Sequence, residues 1–407
     1  MATNKEQNKL NVPHLRFPEF HGEWEKCKLG DIATLTKGSG ISKDQRSATG
    51  TPCILYGELY TTYKSEVINY VVSKTDISDK NLVRSCANDI IIPSSGETAI
   101  DISTARCVLS PDVLLGGDLN IIRLKDGDGR FFSYQLNGVR KHDIAKIAQG
   151  VSVVHLYGES IKGLTVSFPS NKEQQKISTL LSLIDERIAT QSKLIEKLES
   201  LIKGLNDSLY AQYGGKVLTS FAELGTSYSG LSGKSAQDFG SGKPFITYLN
   251  VYSNNVINEN EFQYVAIKDD EKQNVAEYGD VLFTLSSETP REVGIGSVYL
   301  GKEKVYLNSF CFGIHITNAE IAFPPYLSYY VSSTPFRKFV YPYAQGSTRF
   351  NLCKADFEKA SIKLPTLENQ KRIYSILSHI DNKIITERQM LDLYNSQKQY
   401  LLRQMFI

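Results

Sequence analysis

The stretch FPSNKEQQKI, residues Phe168–Ile177, decides the architecture of this chain because a similar stretch, LPTLENQKRI, occurs at Leu364–Ile373. Pro169 and Pro365 hold the same place in the two copies and lie 196 residues apart. When the chain is aligned with itself at that offset, 13 of the 43 positions from 148 to 190 are identical, without a gap. Internal repeats of this kind mark repeated structural units. We therefore expect two related halves.

After each junction, apolar residues recur with 4-3-4-3 spacing, the heptad pattern of paired helices. In the first copy these positions are Ile177, Leu181, Ile184, Ile188, Gln191, Ile195, Leu198, Ile202, Leu205 and Leu209. In the second copy they are Ile373, Leu377, Ile380, Ile384, Glu387, Leu391, Tyr394, Lys398, Leu401 and Met405. Because one inserted residue would turn the rest of a helix by ~100°, the absence of gaps also predicts a long helix in each half.

Both predicted helices have a start signal. Ser170 has Glu173 three residues later, which predicts a capping box. Thr366 repeats the arrangement, with Asn369 in the glutamate position. The first helix should end near Tyr213, before a Gly-Gly pair.

The two helices are expected to pair with each other as an antiparallel coiled coil, which would bring Ile184 towards Leu401. A helix of about 33 residues is a rod of ~50 Å, longer than most domains are wide. The alternative is that each helix is a core helix of its own domain. The predicted pairing residues are Ile184, Ile188, Gln191, Ile195, Leu198, Ile380, Ile384, Glu387, Leu391 and Tyr394.

Upstream of the helices the two copies align only at drifting offsets of 189 to 192 residues, so their loops differ in length. Short apolar runs such as NDIIIP from Asn88 and DVLFTL from Asp280 predict strands in mixed α/β domains. The expected fold class is α+β, with two pseudo-repeated domains that are each followed by a long helix. The predicted segments are 1–168 (N-terminal segment and first domain), 169–213 (first helix), 214–364 (second domain) and 365–407 (second helix).

Composition narrows the function classes. The formal net charge is +2, so an anionic partner must be met by local patches and not by a bulk field. No two of the six cysteines have C-x-x-C spacing, which argues against zinc and favours reduced thiols in the cytoplasm. The polar opening MATNKEQ lacks a secretory apolar region, and no run approaches the ~18 apolar residues of a membrane span.

Three short motifs resemble catalytic ones but are incomplete. FPPY at Phe323–Tyr326 lacks the polar first residue of an amino-methyltransferase motif. SGKS at Ser232–Ser235 lacks a phosphate loop's first glycine, since Tyr228 stands there. HGE at His21–Glu23 has no P-C-x-x-C downstream, as a zinc deaminase would need. The sequence predicts no catalytic residue and no metal site.

Together, the two variable regions and the helices opening P-x-x-x-E-Q-x-x-I or similar resemble the specificity subunit of a type I restriction–modification enzyme. The openings VPHLRFPEF from Val12 and LGDI from Leu29 fit that family's start. The repeated Gln-Gly pairs at Gln149 and Gln345 fit the ends of its target-recognition domains. The second helix departs from the family's pattern at Asn369.

The resemblance implies a non-catalytic DNA reader. Each target-recognition domain would read one half of a split, asymmetric site in double-stranded DNA, through the major groove. The paired helices would set the spacing and dock two methyltransferase subunits, and restriction subunits would join outside. The resemblance places S-adenosylmethionine, ATP and Mg²⁺ in those partners, so none is expected in this chain.

DNA contacts are expected in polar and basic loops at matching places of the two copies, because such side chains suit phosphates and base edges. In the first copy they are Lys37, Ser39, Lys43, Arg46, Tyr63, Lys64, Ser95, Thr98, Gln149 and Ser152. In the second copy they are Tyr228, Lys234, Lys243, Tyr252, Asn254, Asn255, Arg291, Gln345, Thr348 and Arg349.

Two rival functions remain at this point. One is a DNA-modifying enzyme in its own right, which would methylate DNA without partners. The other is a coiled-coil scaffold or regulator, which would lack salt-sensitive, sequence-selective binding to a split site.

Overall fold

The computed structural model describes residues 11–77 and 81–407, so the predicted polar opening MATNKEQ lies outside the described residues. The chain forms two compact units. Unit 1 is Met1–Ser192 with Gln389–Ile407, and unit 2 is Lys193–Arg388. Two long helices, α7 (Asn171–Tyr213) and α13 (Leu367–Gln404), follow the two junction sequences, and each contributes one part to each unit.

Unit 1 is a mixed domain of short strands and helices. Its strands are β1 (Glu25–Lys28), β2 (Ala33–Lys37), β3 (Thr51–Ile54), β4 (Val67–Ile68), β5 (Lys74–Thr75), β6 (Asp89–Pro93), β7 (Ser95–Gly96), β8 (Arg106–Val108), β9 (Leu114–Leu115), β10 (Leu119–Leu124), β11 (Val154–His155) and β12 (Thr165–Phe168). Its short helices are α1 (Leu29–Ile32), α2 (Glu58–Thr61), α3 (Ala99–Ile102), α4 (Gly129–Asn137), α5 (Lys141–Ile147) and α6 (Gly158–Lys162).

The main sheet of unit 1 has the order β2-β10-β6-β8-β4. The predicted apolar run NDIIIP forms β6, which lies in the middle of the sheet and is buried along its whole length. An apolar run without alternation is the pattern of a strand covered on both faces. Smaller pairings join β7 to β11 and β1 to β12. The second of these brings the two ends of the domain together directly before α7.

Unit 2 repeats this plan with its own core. Its strands are β13 (Val217–Thr219), β14 (Gly225–Ser229), β15 (Phe239–Ile246), β16 (Gln263–Val265), β17 (Val281–Thr284), β18 (Ser286–Ser287), β19 (Gly296–Val298), β20 (Tyr306–Leu307), β21 (Cys311–Ile316), β22 (Ala344–Gly346), β23 (Phe350–Leu352) and β24 (Ile362–Leu364). Its short helices are α8 (Phe221–Leu224), α9 (Tyr248–Ser253), α10 (Pro324–Tyr330), α11 (Thr334–Val340) and α12 (Lys354–Lys359).

The main sheet of unit 2 has the order β14-β21-β17-β19, and β13 pairs with β24 as β1 does with β12. Fully buried aromatic rings fill the space beside this sheet. Phe221, Phe283 and Phe357 contact one another with centroids 5.1–5.3 Å apart. The predicted α+β fold with two related domains is confirmed.

The long helices pair in antiparallel fashion within each unit. In unit 2, Arg388 donates to Glu199 at 2.5 Å, while Arg372 lies over the ring of Tyr213. Later residues of α7 therefore lie beside earlier residues of α13, so the two helices run antiparallel. In unit 1, Ile184 and Leu401 belong to one apolar cluster, as predicted. All the predicted seam positions in both helices are buried or half-buried.

The start of α7 differs from the predicted capping box. The carboxylate of Glu173 is buried and accepts two hydrogen bonds from the Arg16 guanidinium, at 2.7 and 2.8 Å. Glu173 is therefore bonded to a residue of the N-terminal segment and not to the backbone of Ser170. The predicted capping box at the start of α7 is wrong. In α13, Thr366 does accept from the backbone N–H of Asn369, at 3.5 Å.

Candidate nucleic-acid interface

In unit 2, three of the predicted loop groups meet beside the short sheet β18-β23-β22. Glu292 is the centre of this arrangement. Its carboxylate accepts from the hydroxyls of Tyr252 at 2.8 Å, Ser287 at 3.0 Å and Thr289 at 2.9 Å. These bonds lower the pKa of Glu292, and the same contact raises the pKa of Tyr252. Loop 286–294 is therefore tied to the end of α9.

A half-buried arginine, Arg337, supports the same loop. Arg337 donates to the carbonyl oxygens of Gly294 at 2.6 Å and of Arg291 and Val293 at 2.8 Å each. Burial lowers the pKa of Arg337. With its backbone held in this way, the loop leaves the side chain of Arg291 exposed.

Arg349 joins the group from the turn between β22 and β23. Its guanidinium donates to the Ser286 hydroxyl at 3.3 Å and lies 5.5 Å from the ring centroid of Phe310, which is itself half exposed. Gln345 and Thr348 are exposed on the same turn segment. This edge of unit 2 thus presents guanidinium, amide, hydroxyl and aromatic groups together.

In unit 1, the first two predicted loops line a cleft of about 800 Å³. Lys43, Arg46, Thr61 and Thr62 are among the residues that line it. Arg46 lies 3.7 Å from Glu58, a buried carboxylate that also accepts from the Leu55 backbone N–H. The cleft is therefore lined by the cationic groups of Lys43 and Arg46 as well as by the carboxylates of Glu58 and Asp118.

The other two unit 1 loops meet through β7 and β11, where Ser95 pairs with His155. Gln149 forms a backbone bridge to the same histidine. The unit 2 counterpart is the pairing of Ser286 and Gln345 with Asn351. Corresponding loops are thus brought together in the same way in both units.

Several predicted contacts have structural roles instead. Tyr228 is buried, donates to Asp280 at 2.7 Å and stacks on His315, so it has no surface for DNA and that prediction is wrong. Tyr63 is also buried, and its hydroxyl accepts from the Val72 backbone N–H. Burial raises the pKa of Tyr63 to about 12. The prediction for Tyr63 is corrected in the same way.

Three more polar side chains are largely occupied within the protein. Lys234 donates to Glu271 at 2.5 Å and lowers the pKa of that carboxyl to about 2. Ser39 accepts from the Val83 backbone N–H at 2.7 Å. Thr98 caps α3 by accepting from the Asp101 N–H at 3.1 Å.

The remaining predicted residues are spread over the two units. Lys37 and Lys64 are exposed in unit 1, where Ser152 lies at the tip between Gln149 and β11. In unit 2, the Asn254 amide donates to Asn250 and Glu261 at 3.1 Å each. Lys243 and Asn255 are exposed outside the Glu292 group.

Some notable side chains were missed. Phe310, Glu292 and the exposed valines Val151 and Val153 were absent from the prediction, which favoured basic and amide residues. The repeat alignment could have found the valines, since Val153 falls on Arg349 at the 196-residue offset.

Among the described residues, no group of His, Cys, Asp and Glu is placed to hold a metal ion. Within residues 11–77 and 81–407, no helix combines the length and apolar character needed to cross a membrane.

Comparison with known proteins supplies the family. The type I restriction modification DNA specificity domain matches residues 21–200 and again 226–393. The proposed type I restriction enzyme MjaX specificity subunit of Methanocaldococcus jannaschii is 26% identical, over 94% of this chain and 92% of that protein.

Two solved structures share the fold. The S subunit of a type I restriction–modification system from M. genitalium has a TM-score of 0.60 and 18% identity, over 97% of this chain and 99% of that one. A chain from a study of assembly and conformational transition of the type I R-M system has a TM-score of 0.57 and 15% identity, over 93% and 96%. With both halves matched by the family, this chain belongs to the type I restriction–modification DNA specificity family and is a specificity subunit with two target-recognition domains.

Proposed function

We propose that this subunit reads a split, asymmetric site in double-stranded DNA, with one half-site for each unit. The observation that carries the proposal is the duplicated edge: matching loops converge in both units, but their side chains differ. Two domains with the same backbone plan and different contact groups would prefer different bases. Because it would bind DNA, we expect the subunit to act in the cytoplasm.

The long helices are proposed to set the spacing between half-sites and to dock two methyltransferase subunits, with restriction subunits joining the complex. Support comes from large apolar side chains outside the helix seam, since exposed apolar surface commonly marks a protein interface. On α7 they are Leu183, Leu194 and Leu201, and on α13 they are Ile376, Ile385, Met390, Leu393 and Tyr400.

Catalysis is proposed to lie in those partners, together with S-adenosylmethionine, ATP and Mg²⁺. The support is the sequence, whose methyltransferase-like and phosphate-loop-like motifs are each incomplete at a required position. A partner-free preparation should therefore neither methylate nor cleave DNA, nor hydrolyse ATP. Turnover that disappears when this chain is mutated would instead establish an enzyme.

The direct test is strand-resolved methylation mapping in cells that carry this chain and its host's methyltransferase subunit. We expect methylation at one split site whose two halves differ. Deletion of the gene for this chain should abolish methylation at that site. Unchanged methylation after deletion would favour a scaffold that does not read DNA.

A further inference from the structure

Matching turns project from the converged loops of the two units. We call residues 150–153 the unit 1 tip and residues 346–349 the unit 2 tip; they correspond at the 196-residue offset. Gly150 and Gly346 open them with φ of +124° and +147°. A Cβ at either glycine would lie 2.1 Å from the carbonyl oxygen three residues later. Both tips thus need glycine for the same tight turn, and their side chains are free to differ.

The unit 1 tip is apolar. Val151 is 97% exposed and Val153 is 52% exposed, so neither contributes much to the core. Ser152 between them is also exposed. The neighbouring turn carries Asp118, whose backbone has a left-handed φ of +58°.

The unit 2 tip is polar and cationic. Arg349 takes the place of Val153, and Phe310 takes the place of Asp118. The second correspondence is based on the backbone: Ser94 N–H donates to Asp118 O in unit 1, as Leu285 N–H donates to Phe310 O in unit 2. The guanidinium is held between this ring and the Ser286 hydroxyl.

We propose that the two tips read different bases: Arg349 reads a guanine in one half-site, and Val151 with Val153 contacts thymine methyl groups in the other. This inference rests on the proposed function. Arginine paired with guanine O6 and N7 is the commonest specific contact in the major groove, and the thymine methyl is the apolar group found there.

The setting of Arg349 favours a base over a phosphate. A phosphate contact needs only charge and reach, but guanine recognition needs the planar fork in a fixed orientation. The Phe310 ring and the single bond to Ser286 restrain that plane while leaving most of its five N–H donors available. For the valines, exposure at a turn held by β7 and β11 presents their methyl groups outward.

The first experiment selects duplexes from a randomised DNA library with the full chain, purified with its host's methyltransferase subunit. Arg349→Lys keeps the charge but loses the fork. It should reduce the preference for guanine at one position of one half-site about tenfold or more, and leave the other half-site unchanged. Lys338→Gln, a loss of an exposed charge elsewhere in unit 2, is the matched control and should leave both half-sites unchanged.

The second experiment replaces single thymines by uracil, which lacks the 5-methyl group, in the selected duplex. Wild-type protein should bind several-fold more weakly when the contacted thymine is replaced, and only in the half-site that Arg349→Lys leaves unchanged. The Val151→Ala/Val153→Ala variant should bind the thymine and uracil duplexes equally well. Equal binding of both duplexes by wild type at every position would overturn the valine assignment.

Arg349→Gln removes the charge as well. A uniform loss of affinity in that variant over all sequences, with a shallower salt dependence and with unchanged base preference in Arg349→Lys, would mean a phosphate contact and overturn the arginine assignment. Because the substituted side chains are exposed, the variants should fold as wild type does, and equal thermal unfolding midpoints check this. Failure of wild type to select any split site would refute the proposed function itself. A split site selected by wild type and kept by every tip variant would refute this inference alone.

Discussion

At the scale of single residues, the most demanding feature is a buried ion cluster in unit 1. The Lys398 ammonium contacts the carboxylates of Glu66 and Asp185, the latter at 2.6 Å. Asp185 also accepts from the Tyr134 hydroxyl at 2.8 Å. Burial alone would lower the pKa of Lys398, but the two carboxylates raise it. The ammonium is therefore held charged inside the protein.

Replacing Lys398 should lower the free energy of unfolding far more than the loss of a surface ion pair would. Lys398→Met removes the ammonium that contacts both buried carboxylates and should destabilise unit 1 by about 3–5 kcal/mol. Urea unfolding of the full chain measures the loss. The triple variant Lys398→Met/Glu66→Gln/Asp185→Asn removes all three charges and should regain most of it. A single variant with wild-type stability would show that the cluster is not stabilising.

The corresponding carboxylate in unit 2, Asp381, gives a pH prediction. Asp381 accepts from the Tyr329 hydroxyl, and burial raises its pKa above the ordinary 3.8. A raised acid pKa means that the folded chain holds the proton more tightly. Stability from this group is therefore present below pH 3.8 and is lost as pH rises through the folded-state pKa.

Asp381→Asn keeps a neutral hydrogen-bond acceptor. The variant should therefore not show the loss of stability that the wild type shows as pH rises. Urea unfolding free energies measured from about pH 3.5 to 7 should rise relative to wild type as pH increases through this window. Asp392→Asn changes an exposed carboxylate on the same helix and serves as control. Parallel curves for wild type and Asp381→Asn would contradict the prediction.

Residue type alone could not separate surface contacts from core residues. Tyr228 and Tyr252 both stand in polar loops, yet the first is buried on Asp280 and the second reaches Glu292 at the converged edge. Each tyrosine is placed by a partner that lies 40 or more residues away in the sequence. A local sequence pattern does not contain that information. The tip valines were overlooked because an isolated exposed valine is ordinary until its place on a turn is known.

At the scale of elements, the repeated glutamine of the junction has a clear role. Gln174 donates to the carbonyl of Pro169 at 2.8 Å and accepts from the Asp128 N–H at 3.0 Å. Gln370 donates to Pro365 at 2.9 Å and accepts from the N–H of residue 323 at 2.8 Å. Each glutamine thus ties the start of a long helix to its domain, and the junction is repeated because each domain needs this tie.

Leucine at either glutamine should leave buried backbone groups without partners. We expect a loss of about 1–3 kcal/mol for Gln174→Leu and for Gln370→Leu. Since the two sites lie in different units, their effects should be additive in the double variant. Gln175→Leu, at the exposed next position, is the control for urea unfolding. A double variant no less stable than wild type would rule out the tie.

The elements differ in how far the sequence predicts them. The long helices are predicted by a sustained local period, and α7 and α13 begin two residues after Pro169 and Pro365. The two-residue strands β7 and β11 have no such period, because their pairing is made by residues about 59 positions apart. Strand formation of that kind depends on tertiary neighbours more than on intrinsic preference. The converged loops were therefore predicted separately, without their contacts.

At the scale of the whole molecule, the division of the long helices is the informative feature. Unit 1 contains α7 up to Ser192 and α13 from Gln389, while unit 2 contains the segments between. Inserting residues within either segment would disturb contacts inside a unit, such as that of Asn206 with the Tyr329 carbonyl. Insertions at 192/193 and 388/389 together would leave each unit's own helix contacts unchanged.

The paired insertion tests the proposed spacing role. Four helix-forming residues at both places add slightly more than one turn, or ~6 Å, and rotate the downstream part of each helix by only ~40°. One base pair is ~3.4 Å of DNA, so we expect the gap between half-sites to lengthen by one to two base pairs while base preferences within the half-sites persist.

Two residues at both places rotate the downstream part by ~200° and should abolish selective binding. Four residues in α7 alone should abolish it as well, because the seam with α13 would then be out of register. Methylation mapping with each variant gives the gap and both half-sites. An unchanged gap with surviving methylation, or altered bases within a half-site, would show that the helices do not set the distance.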